Sequence, residues 1–180
     1  MLVVIRFISL LVIIFFALTE TTLSQNDNED KYWIGGGIGI IVRDLFIGFP
    51  KTISGTYYTK NVLVSASFSF ATESNKPFFP SRTDRDLYLI KIRETALTIG
   101  YAQESKKIIY GIAGGIGYVS GNYNEKRSNE SFDAVGFIVN CHGVLKLSDK
   151  VGFGIKWGGN LNKEQSFGII TIGLFYGSFF

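Results

Sequence analysis

The chain has one cysteine, one histidine, one methionine and three prolines in 180 residues. A single cysteine excludes a disulfide framework. With a single histidine beside it, no zinc cage of the His/Cys type can be assembled, and no metal site is expected. The scarcity of proline excludes collagen-like and proline-rich architectures. Charge is also scarce, at 18% of residues against 46% hydrophobic, which excludes a disordered chain. The net charge of +3 is too mild for the basic footprint of a nucleic-acid binder. The length suits one domain.

The segment 1–24 reads as a cleavable signal peptide. Arg6 supplies a positive start, and Phe7 to Leu18 is an apolar run interrupted only by Ser9, too short to span a bilayer as a helix. Thr22-Leu23-Ser24 places small residues where cleavage requires them, so the cut is expected between Ser24 and Gln25. Residues 25–31 form a short polar lead-in, and 32–180 form the folded domain. None of its apolar runs is long enough for a membrane helix. The exported chain is therefore either soluble or a membrane β-barrel.

What the sequence has in quantity is glycine, 21 in all, and aromatics, at 15%. They are set in apolar stretches that repeat with period two. Eight strands are predicted, over 32–43, 52–59, 62–71, 87–102, 107–119, 132–147, 150–159 and 166–179. In the third, Val62, Val64, Ala66, Phe68 and Phe70 alternate with Ser65, Ser67 and Ser69. In the fifth, Ile108, Tyr110, Ile112, Ile116 and Tyr118 alternate with Gly111, Ala113, Gly115 and Gly117. The seventh sets Val151, Phe153, Ile155 and Trp157 against Gly152, Gly154 and Lys156. One face is bulky and apolar; the other is small and weakly polar.

A soluble sheet would carry long polar side chains on its wet face. An eight-stranded membrane barrel inverts the arrangement, because its interior admits only side chains that fit while bulky ones meet lipid. The fold class expected is therefore all-β: an antiparallel, up-and-down transmembrane barrel of eight strands. Short links at 59–61, 104–106 and 148–149 alternate with longer stretches at 44–51, 72–86, 120–131 and 160–165, as in outer-membrane barrels with long external loops. Tyr32, Tyr57, Tyr101, Tyr110 and Tyr176 fall at the periplasmic rim on this reading, and Trp157 and Tyr118 near the opposite rim. The final Phe180 resembles the C-terminal aromatic by which barrel-assembly machinery recognises its clients.

Three stretches, Ser54 to Ala71, Glu94 to Tyr101 and Phe132 to Gly177, resemble a family of small outer-membrane β-barrel proteins of Bacteroidota, of the OmpA/OmpX type. The run from Gly159-Asn160-Leu161-Asn162 to Gly168 looks like that family's asparagine-rich last hairpin. Ile138 and Asn140 stand where relatives tend to carry proline and glutamate. The resemblance implies an outer-membrane barrel without an established reaction, and no cofactor.

By parity the lumen holds Arg43, Glu94, Asn140, His142, Lys146 and Lys156. Burying a lone charge costs several kcal/mol. Glu94, read as the one interior carboxylate, is therefore expected to pair with Arg43 or a lysine. Cys141 and His142 are adjacent on a strand, so they point to opposite faces and form no dyad. Position 144 is Val144, not the serine of a barrel-type lipid A deacylase. Asp84 and Asp86 have protease-like spacing, but the chain is too short for the ten-stranded fold that uses it. Lys91 and Arg93 lie on the lipid-facing parity near the outer interface, where lipopolysaccharide phosphates would attract them. Phe78 and Phe79 form an apolar tetrad with Pro77 and Pro80 in an external loop, expected to fold back over the barrel mouth or else to mark a binding patch. The expected protein is a monomeric outer-membrane barrel with a plugged polar lumen and a structural or surface-interaction role. Its partners would be outer-membrane lipids, lipopolysaccharide and assembly machinery. A lipid-modifying barrel enzyme, a small hydrophobic-solute channel and a soluble carrier are the alternatives.

Overall fold

The computed structural model describes residues 30–43, 46–74, 89–125, 128–164 and 166–179. Side chains of 42–43, 46–47, 73–74, 89–90, 123–125 and 128–130 fall outside that description, as do residues 1–29, which hold the stretch expected as a signal peptide. Eight strands follow one another, with no helix among the described residues: β1 (Lys31–Arg43), β2 (Phe46–Thr59), β3 (Val62–Ser74), β4 (Leu89–Glu104), β5 (Ile108–Glu125), β6 (Ser128–Lys146), β7 (Val151–Leu161) and β8 (Phe167–Gly177). Each is antiparallel to the next, and β1 pairs with β8 to close the barrel. Closure removes the sheet edges, whose bare N–H and C=O groups would each cost several kcal/mol in lipid.

The register fixes the barrel's shape. From Trp33 the pairing passes through Thr56, Ser65, Thr98, Gly115, Ile138 and Asn160 to Phe167. Phe167 lies beside Gly168, the partner of Val42, so the circuit returns to β1 at the level of Arg43. That stagger tilts the strands by roughly 40°. Each residue therefore climbs about 2.5 Å along the axis, from ~3.3 Å along the strand.

The alternation places small and polar residues inward and bulky ones outward. Ile34, Ile116 and Leu174 are 64%, 63% and 61% exposed, whereas the inward Ile109 and Val119 are fully buried. The interior is nevertheless more apolar than the small-residue faces imply. A lower cluster joins Trp33, Tyr58, Leu63, Ile109, Val144 and Phe179. An upper one joins Ile41, Ala71, Ile92, Val119 and Phe167, with Phe132 packed on it.

Several boundaries depart from the sequence reading. Most of 44–51 and 120–131, expected as loops, is strand, leaving only 44–45 and 126–127 between elements. Above the bilayer a strand keeps its ladder while its side chains turn polar, so the polarity of 120–131 does not mark a turn; 46–50 is mostly apolar and continues β2 despite its glycine and proline. Pro50, also read as a loop residue, is buried inside β2. At the C-terminus, β8 stops at Gly177 rather than 179, and Phe179 folds inward, its N–H bonded to Asp149 O.

The β2–β3 hairpin turns on Lys60 and Asn61, with φ of 46° and 67°. A two-residue turn with both centres left-handed is type I′, which matches the right-handed strand twist. Asparagine tolerates that region, but lysine carries a Cβ penalty. Lys60→Gly is expected to stabilise the barrel by about 0.5 kcal/mol, and Lys60→Pro to destabilise it by more. The urea midpoint of the unboiled, compact gel band measures both.

Candidate functional site

The lumen is built in layers. At the periplasmic mouth the Glu104 carboxylate sits between two lysines. Lys31 Nζ lies 2.5 Å from Glu104 Oε1, and Lys146 Nζ bonds the same oxygen. The lysine side chains are almost fully buried, while Glu104 keeps some access to water. Three strand ends that are not adjacent in the sheet (β1, β4, β6) bring them together across the lumen, each at an inward position. Above them lies the lower apolar cluster, in which Trp33 stacks on Phe179 at 5.4 Å between centroids.

The middle of the lumen is polar. Thr56 pairs with Ser65 and Thr52 with Ser69, each at 3.0 Å across the β2–β3 ladder, and Lys156 Nζ donates to Ser67 Oγ at 3.4 Å. Asn140 Nδ2 and His142 Nε2 have no hydrogen-bond partner among the described residues. Both residues line a cavity of about 40 Å³, and a second of about 10 Å³ lies between Glu94 and Thr52. The unpartnered polar groups in otherwise mixed walls, and these volumes, suit one to a few waters, not a larger solute.

Near the top, Asn160 is fully buried and donates from Nδ2 to Glu94 Oε2 at 2.9 Å, while its Oδ1 accepts from Asn162 Nδ2 at 3.0 Å. Space for it comes from glycine. A Cβ at Gly136 would overlap Asn160 Oδ1, and one at Gly117 would overlap Ile138 Cδ1. The upper apolar cluster closes this end.

Glu94, Asn140, His142, Lys146 and Lys156 all lie inward, as their parity requires; the Arg43 side chain is outside the described residues. They do not form one network. Glu94 makes no ion pair among the described residues; its partner is the Asn160 amide, and Lys156 is the described cation that acts on it through space. Lys146 belongs to a separate group at the mouth. Glu104 is a second interior carboxylate, hidden in the sequence because it reads as part of a turn. Asn160 was hidden because strand seven was expected to end one residue earlier. Cys141 points outward, level with Ile112 and Trp157, so no dyad with His142 exists. Asp84, Asp86, Phe78, Phe79 and Phe180 lie outside the described residues. Among the described residues no group of His, Cys, Asp or Glu could hold a metal ion.

The outer surface is a lipid-facing one. With the tilt applied, Tyr32, Tyr57, Tyr101, Tyr110 and Tyr176 fall at one level, linked locally by Gln103, which accepts from Tyr110 at 2.8 Å. Below this girdle, the exposed Asp30 has its carboxyl held below the usual range by hydrogen bonds from Thr59 and Tyr57, then by the Lys60 charge. Tyr118 stands eight residues above Tyr110, about 20 Å, against an apolar band of about 25 Å for such barrels. Trp157 does not reach the outer rim. It stands four residues above Phe153, about 10 Å, in mid-bilayer. Strand seven continues to Leu161, which takes the rim position instead.

Solved structures share this architecture. The N-terminal β-barrel domain of Pseudomonas aeruginosa OprF superposes with a TM-score of 0.60 at 10% identity, covering 85% of this chain and 99% of that one. Ail, the attachment invasion locus protein of Yersinia pestis, gives 0.58 at 11% identity over 84% and 99%. Neisserial surface protein A gives 0.57 at 12% identity over 82% and 96%. The fold is that of the eight-stranded outer-membrane barrels. No protein-family model matches the chain, and no curated protein does. Fold and surface together place this barrel in an outer membrane.

Two substitutions test the lumen. Glu104→Ala leaves Lys31 and Lys146 as buried, unneutralised neighbours and is expected to cost about 3 kcal/mol. Gly136→Ala displaces Asn160 from Glu94 and is expected to cost about 1–3 kcal/mol by overpacking. Both should lower the temperature at which the compact gel band converts to the unfolded one; an unchanged temperature contradicts the assigned packing.

Proposed function

We propose that the chain is a closed-lumen outer-membrane barrel with a structural and surface-interaction role, carried by what it presents above the outer rim. The observation that supports a closed lumen best is its layering. Buried apolar clusters occupy both ends, and the cavities between them hold only water-sized guests. A channel needs a continuous wet path, and a carrier of hydrophobic solutes needs an apolar cavity of several hundred Å³.

The interaction role is supported by the outer end. β5 and β6 stay paired as far as Glu125 and Ser128, seven residues beyond Tyr118 and so about 17 Å above the rim. The 75–88 connection, with Phe78 and Phe79, is proposed as a second partner-facing element, since loops on a rigid scaffold carry recognition. Ail, with a comparable barrel, is by its name an attachment and invasion protein. A non-enzymatic role is supported by His142, whose Nε2 has no partner among the described residues to activate. The proposed kinship with the small barrels of Bacteroidota draws most on the 159–168 run, whose Asn160 holds Glu94 and whose Asn162 holds Asn160. A monomer delivered by barrel-assembly machinery completes the reading.

Reconstitution into planar bilayers tests it. The refolded protein is expected to insert without discrete conductance steps. Reproducible steps from a homogeneous, heat-modifiable preparation contradict the closed lumen.

A further inference from the structure

On the strands, outward cations gather in one place among the described side chains; the outward Asp133 of β6 stands in the same row as Arg93, two strands away through Ser120. Outward positions of β1, β7 and β8 carry none among the described side chains, and the membrane-level outward positions of β5 carry none either. On β2, β3 and β4 every outward residue from the tyrosine girdle up to Ile53, Phe68 and Thr95 is uncharged. The row above these reads Lys51, Phe70, Arg93, hydrogen-bonded neighbours across three strands. Lys91 stands two residues higher than Arg93 and pairs with Thr72. No carboxylate occupies an outward position of these strands among the described side chains, and none of the three cations makes an ion pair there.

Depth makes the cluster informative. Arg93 is eight residues above Tyr101, about 20 Å, at the outer interface, and Lys91 about 5 Å higher. Lys51 is six residues above Tyr57, about 15 Å, so its Cα lies below the rim. A lysine facing hydrocarbon destabilises a barrel unless its ammonium reaches a polar or anionic layer, which its four-carbon stem allows upward. The Arg93 guanidinium lies over the Phe70 ring at 6.0 Å, a cation–π contact that orients its planar fork on the barrel wall. A guanidinium fork matches phosphate oxygens in bidentate fashion, and two flanking ammonium groups add point charges. Phe68 and Leu97 continue below as exposed apolar ground for an acyl chain.

We propose that Lys51, Arg93 and Lys91, with Phe70 beneath the guanidinium, form a binding site for the phosphate of a glycolipid in the outer leaflet. The inference rests on the reading that the barrel spans an outer membrane. It adds Lys51 and Phe70 to the two cations that the strand parity alone suggested, and it sets the site on the β2–β4 wall.

Native mass spectrometry of the protein refolded in zwitterionic detergent tests this, with lipid A, dephosphorylated lipid A and inorganic phosphate as probes. Wild type should retain lipid A but not its dephosphorylated form, and millimolar inorganic phosphate should not strip the adduct. Lys51→Gln with Arg93→Gln should reduce the bound fraction at least tenfold, while Lys107→Gln with Lys150→Gln, at the opposite end, should not. Equal binding of both lipid forms by wild type, or equal adducts in the double variant, overturns the site without needing the variant's stability to be matched. Stripping by inorganic phosphate assigns it to a free anion and overturns the lipid assignment. Failure of wild type to acquire heat-modifiable mobility strikes instead at the membrane-barrel reading, which keeps the two outcomes apart.

Discussion

The width of the lumen governs the rest of the structure. Eight strands staggered as these are enclose a space that one layer of side chains fills. Every inward position must therefore be small or fit a particular neighbour, and the bulky residues of a strongly apolar sequence have only one place left. Gly117 and Gly136 around Asn160 show the constraint at its tightest, since a single Cβ there meets another inward side chain. The greasy exterior, the aromatic girdles and the demand for a surrounding bilayer follow from it.

The same narrowness decides how charge is handled. A charge inside cannot be hydrated freely, so each interior carboxylate is given a specific partner. Glu104 uses two lysines at the wet mouth, where some hydration survives; Glu94, deeper, uses a neutral amide with Lys156 at longer range. Outside, Lys51, Lys91 and Arg93 make no ion pair among the described residues, and their height puts them where lipid phosphates can serve. Interior charges fix the packing, whereas exterior ones face the environment.

Fold and orientation were legible because period-two alternation survives wherever one face must be small. The glycine and serine rows of β3, β5 and β7 revealed the inward face, and parity assigned Glu94, Asn140, His142, Lys146 and Lys156 to it. The pairing of those groups was not legible. Parity gives a side, but partners depend on the stagger, which brings Asn160 of β7 to Glu94 of β4 across the lumen. Trp33 and Phe179 were missed as an interior stack because large aromatics in such a sequence suggest lipid contact. The alternation with the outward Tyr32 already assigns Trp33 inward. Strand ends above the bilayer failed for a different reason: polar composition there reflects water, not the end of the ladder.

The orientation of the barrel wall is tested most directly through Cys141, the chain's only cysteine, which points outward in mid-bilayer beside Ile112 and Trp157. A nitroxide attached there in a reconstituted bilayer reports its surroundings by collision with dissolved oxygen or with a water-soluble nickel chelate. High oxygen accessibility with almost no nickel accessibility is expected of a side chain among acyl tails. Strong nickel access, or shielding from both relaxants, would put that face toward water or a packed interior and contradict the assignment.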